Sequence, residues 1–75
     1  MPKSRLFVIQ EEVKGGHYRE VRPFSKLSEA VMHINHRLGV GFKYAAVYYY
    51  IAQNGEFYFY HPDTRQEYRL CVREE

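Results

Sequence analysis

Glu29, His33 and His36 stand at offsets of four and seven. A helix through them would bring all three to one face. Imidazole and carboxylate are competent zinc ligands, and His17 or His61 are the candidates to complete a set. No spacing in the chain fixes a fourth ligand, so these residues read as a polar helix face that contains histidine, and no metal is expected. Cys71 has Arg69 and Arg73 two residues away on either side. On a strand the three would share a face, and the guanidinium groups would lower the thiol pKa. No general base is suggested beside it, so Cys71 reads as a plain surface thiol. Ser25, Ser28 and the histidines form no nucleophile, base and orienter arrangement. "GVGFKY", residues 39–44, has two glycines but follows a helix, whereas a phosphate loop must open one. The chain is expected to have no catalytic residues, no cofactor and no small-molecule substrate.

What stands out instead is aromatic. "YYYIAQNGEFYFY", residues 48–60, holds five tyrosines and two phenylalanines. Tyrosine offers a large rigid contact area with a polar tip and is enriched at interfaces. Tyr44, Tyr48, Tyr50, Tyr58 and Tyr60, flanked by Arg69 and Arg73, are the expected partner-binding residues. The preferred partner is a protein, either a second copy in a homodimer or another chain whose surface is occluded in the manner of an inhibitor or adaptor. The alternative is single-stranded nucleic acid, with bases stacked on the same tyrosines and phosphates held by Lys43, Arg65, Arg69 and Arg73. Glu67, Glu74 and Glu75 dilute that positive charge, and no RNP-like motif occurs.

The elements that would position these residues follow from periodicity. Residues 5–13, "RLFVIQEEV", read as a strand with apolar residues on both faces. "KGG" is a turn and "HYREVRPF" a returning strand. A three-residue loop sets Glu11 opposite Arg19 and Ile9 opposite Val21, a better match than Glu11 against Glu20. In "SKLSEAVMHINHRLG", Leu27, Val31, Ile34 and Leu38 form one helical stripe. Ser25 is the expected N-cap and Gly39 the left-handed residue past the end.

Three strands are expected next, at about 43–52, 56–61 and 67–73, the last one at an edge because its outer residues are charged. A three-residue Gln53-Asn54-Gly55 loop would pair Ile51 with Phe57, Tyr49 with Phe59, Tyr48 with Tyr60 and Tyr50 with Tyr58. A two-residue Asn54-Gly55 turn would scramble that division. The prediction is an α+β domain in ββαβββ order. One helix would cover one face of a mostly antiparallel sheet, and a tyrosine face would be left open.

The chain has 75 residues, and a single small domain over 1–75 is the expectation. Formal charge is +2, less than strong nonspecific nucleic-acid binders carry. One cysteine and no signal-like or membrane-spanning run fit a reducing, cytoplasmic setting. One stretch, "GEFYFYHPDTRQEY", residues 55–68, resembles the second hairpin of WW domains, with Tyr58, Tyr60 and Thr64 in comparable places. The family's tryptophans and C-terminal proline have no counterparts here, and Tyr68 or Arg69 falls near the place of the binding tryptophan. The resemblance implies that an aromatic hairpin face can accept a proline-rich segment.

Overall fold

The structure, a computed structural model, describes residues 5–74. Chain order is β1 (Arg5–Val13), β2 (His17–Phe24), α1 (Leu27–Leu38), α2 (Tyr44–Asn54), β3 (Glu56–Tyr60) and β4 (Glu67–Glu74). This is an α+β architecture, a four-stranded antiparallel sheet with both helices on one face. It departs from the expected order at one element: residues 44–54 form a second helix where a strand was predicted, giving ββααββ.

The reason for that departure lies in the run "YAAVYYYIAQN" itself. Nearly every residue is apolar, so it satisfies a two-residue and a 3.6-residue period equally well. Its eleven residues exceed an ordinary strand, and three alanines favour the helix. Gly55 is left-handed (φ 81°), a conformation that a hairpin bulge also uses, but here it closes a helix. Its N–H donates to the Ile51 carbonyl at 2.8 Å. The predicted hairpin pairs between 48–51 and 57–60 therefore do not form.

The sheet order is β2-β1-β4-β3. β4 is thus internal, and the charged residues that suggested an edge lie on the sheet's helix-free face instead. In the first hairpin Glu11 does stand opposite Arg19, and the two side chains form an ion pair. A bulge between Ile9 and Gln10 shifts the register, however, so Ile9 faces Arg22, and Val21, expected opposite it, is half exposed.

Phe7, Ile9, Phe57, Phe59, Tyr68 and Leu70 lie on the helix face in cross-strand register. Leu27, Ala30, Val31, Ile34 and Leu38 of α1 bury against them, as the stripe predicted. Gly39 is left-handed past the end of α1. The N-cap is Lys26, without a side-chain cap, rather than Ser25. In α2, Val47 is the buried residue and Ile51 is half-buried, while Tyr49, expected opposite Phe59, is 60% exposed.

The turn between the helices is fixed by one side chain. Asn35 Nδ2 donates to the Phe42 carbonyl (2.9 Å), and the Phe42 N–H donates to Asn35 Oδ1 (2.8 Å). This two-way clamp seats Phe42 edge-on against Phe57 and Phe59, at centroid distances of 5.3 and 5.8 Å. Among the described residues no helix is long and apolar enough to cross a membrane.

Candidate functional site

Strand alternation places Tyr58 and Tyr60 on the helix-free face with Arg69, Arg73, Cys71 and Tyr18. α2 instead carries Tyr44, Tyr48, Tyr49 and Tyr50 on the other side of the sheet. The expected single tyrosine face is therefore divided between a helix and a strand. All five predicted tyrosines are well exposed, and Tyr49 joins them. Tyr44 and Tyr48, one helical turn apart, stack at 6.2 Å. They line a groove with Phe7, Val72 and Lys26.

The two tyrosine groups meet at the β3 edge. Tyr50 of α2 packs against Phe57 of β3, with ring centroids 5.7 Å apart. A groove of about 790 Å³ runs along this edge, lined by Val40, Phe42, Tyr50, Phe57, Tyr58, Phe59, Tyr60 and Pro62 with Asn54 and Glu56. It is predominantly aromatic and carries one ionisable carboxylate. Such a groove suits apolar, extended matter better than a charged polymer.

The arginines are engaged within the chain. Arg69 lies over the Tyr18 ring at 4.1 Å, donates from Nε to Gln10 Oε1 at 2.5 Å, and sits 3.7 Å from Glu56. Arg73 donates to Glu20 at 2.5 Å. Because Arg73 is in register with Leu6 and Glu20 with Gln10, this bond bridges β4 to β2 across β1, over Val8. Val8 is 1% exposed on this helix-free face. The Tyr58 hydroxyl donates to Glu56 at 2.6 Å, which raises the tyrosine pKa. Sequence reasoning missed Tyr18 and Phe42. Tyr18 needed the strand register to be seen under Arg69, and Phe42 needed the Asn35 clamp.

The other candidates separate. His33 is half-buried against the Phe24 ring (5.2 Å) rather than solvent-facing with Glu29 and His36. Burial, with Arg22, Arg37 and His36 adding to it, lowers its pKa below 6.5. Among the described residues, no three His, Cys, Asp or Glu side chains gather where they would hold a metal ion. Cys71 is half-buried, and burial pushes its thiol pKa up, outweighing the lowering by Arg69 and Arg73 that the sequence suggested. Glu75, counted among the diluting acids, lies outside the described residues. Searches among protein families, curated proteins and solved structures return no match to this chain.

Proposed function

We propose that this chain is a non-enzymatic, cytoplasmic binding module that recognises protein through the tyrosines of α2 and β3. It acts by joining a second copy of itself or by occluding the surface of another chain, as an inhibitor or adaptor does. The observation that carries the reading is the aromatic groove along β3, with exposed tyrosines on both of its banks. Contiguous exposed aromatic surface of this kind is characteristic of interaction sites. The electrostatics support protein over nucleic acid. Arg69 and Arg73 already face Glu56 and Glu20, so a phosphate would have to compete with carboxylates for both.

Light scattering across a range of protein concentrations, with and without a single-stranded oligonucleotide, tests this. The expected result is association between protein chains that weakens in Tyr48→Ser and Tyr60→Ser and is indifferent to the oligonucleotide. A strict monomer that shifts only with the oligonucleotide, in a salt-sensitive way, refutes it.

A further inference from the structure

An open sheet has two edges, and this one treats them differently. The β2 edge carries Arg19, Glu20 and Arg22, the bulge at Val21 and then Pro23. Charge, bulge and proline are the devices that stop an edge from pairing with another strand. The β3 edge, "EFYFY", has none of these beyond the single charge of Glu56.

The phase of the ladder shows which backbone groups β3 leaves open. The His61 N–H donates to the Gln66 carbonyl at 2.9 Å, so His61 faces β4. Stepping back by two, Phe59 and Phe57 also face β4, in register with Tyr68 and Leu70. Glu56, Tyr58 and Tyr60 therefore direct their N–H and C=O groups away from the sheet, along the aromatic groove.

This pattern is complementary to itself. Set antiparallel about a two-fold axis at Tyr58, each of these N–H groups meets a carbonyl of the same segment in a second copy. Tyr58 then faces its own mate, Phe57 faces the partner's Phe59, and Glu56 faces the partner's Tyr60. No like charges oppose, and a carboxylate meets a tyrosine rather than another acid. Sliding the register by two leaves Glu56 or Tyr60 unpaired, and sliding by one sets outward groups against inward ones.

We propose that β3 is a self-association edge, and that two copies join through it into one continuous eight-stranded antiparallel sheet. The proposal rests on the reading of this surface as protein-binding and names a second copy as the occupant. The partner's Phe57 and Phe59 extend the Phe42, Phe57 and Phe59 cluster across the axis.

Sedimentation equilibrium on the wild type, Tyr58→Pro, Tyr58→Lys and Val21→Lys, each checked for folding by far-UV circular dichroism, tests it. The outward Tyr58 N–H is not used within the chain, so proline spares the β3–β4 ladder and removes the intermolecular backbone bond, along with the exposed hydroxyl contact to Glu56. Lysine places two ammonium groups at the axis. The expected result is a wild-type and Val21→Lys dimer, with dissociation constants raised about tenfold or more in both Tyr58 variants. In concentrated wild type the Glu56, Tyr58 and Tyr60 amides should exchange about tenfold slower than in dilute samples. A dimer that survives both Tyr58 substitutions but weakens in Tyr48→Ser overturns the β3 pairing and leaves the wider reading standing. A wild-type monomer at every concentration overturns the pairing as well. If that monomer shifts only with the oligonucleotide, the wider reading falls with it.

Discussion

Truncating Val47 and Tyr49 separately puts the assignment of residues 44–54 to a decisive test. On a strand these two residues share a face, whereas on α2 they point apart. Val47 is 1% exposed and Tyr49 is 60% exposed. Val47→Ala removes two methyl groups from the core, a transfer loss of about 1.6 kcal/mol. Alanine's better helix propensity returns about 0.5 kcal/mol. The net cost is therefore about 1 kcal/mol if the site collapses, and about 2 kcal/mol if a cavity persists. Tyr49→Ala loses little burial and gains the same propensity, so its cost should lie within about 0.5 kcal/mol of zero. Urea unfolding followed at 222 nm measures both. With a slope near 1 kcal/mol per molar urea, the Val47→Ala midpoint should fall by about 1 to 2 M and that of Tyr49→Ala should barely move. Equal losses, or a larger loss for Tyr49→Ala, would refute the helix and restore a strand.

The remaining predictions concern the clamp and two titrating groups. Asn35→Ala removes both bonds to Phe42 and should cost about 1 to 3 kcal/mol in urea unfolding. Asn35→Asp keeps the acceptor for the Phe42 N–H but sets a carboxylate oxygen against the Phe42 carbonyl, so it should destabilise as well, and a wild-type urea midpoint in either variant would count against the clamp. His33 has a lowered pKa, so the folded state binds fewer protons than the unfolded one as pH drops below about 6.5, and stability falls through that window. His33→Gln should flatten the slope of Tm against pH there, and an unchanged slope would contradict the burial account. Glu12 has a raised pKa because its carboxyl hydrogen-bonds that of Glu67, with burial adding. Its contribution is present below about 4.5 and lost as pH rises through the raised value. The Tm of Glu12→Gln relative to wild type should therefore improve from pH 4 to pH 7, and a constant difference would argue against the raised Glu12 pKa.

Much of the scaffold is legible in the residues because local signals agree there. The α1 stripe, Gly39 and the Glu11–Arg19 pairing all follow from a clear period or a specific turn. Residues 44–54 fail for the opposite reason. A run that is apolar on every side has no period to read, and Gly55 serves a hairpin bulge or a helix end equally well. Length was the usable signal, since eleven residues suit a helix better than a strand. The β4 misplacement has a different origin. A sheet covered on one face has polar residues on the other even at its centre, so alternation alone cannot distinguish edge from middle. The Tyr18–Arg69 stack depends on a partner far along the chain, the Val21 bulge on a one-residue insertion without glycine, and the Asn35 clamp on a seven-residue closure that no local pattern marks. The candidate tyrosines were found by composition, but their division between helix and strand required the fold.

The strand order also constrains when this molecule can fold. Its central pair joins β1 to β4, with Ile9 beside Leu70. The β1–β2 hairpin and α1 can form early, yet the buried face waits for β4 to be made. Closing a loop of that span costs about 3 to 4 kcal/mol in chain entropy before any central contact is gained. During synthesis, therefore, Ile9, Ile34 and the tyrosine-rich run stand exposed until β4 has left the ribosome. Folding of this domain should be an all-at-once event that waits for β4, slow for a domain of this size. An unprotected aromatic segment would be a ready substrate for chaperones in that interval.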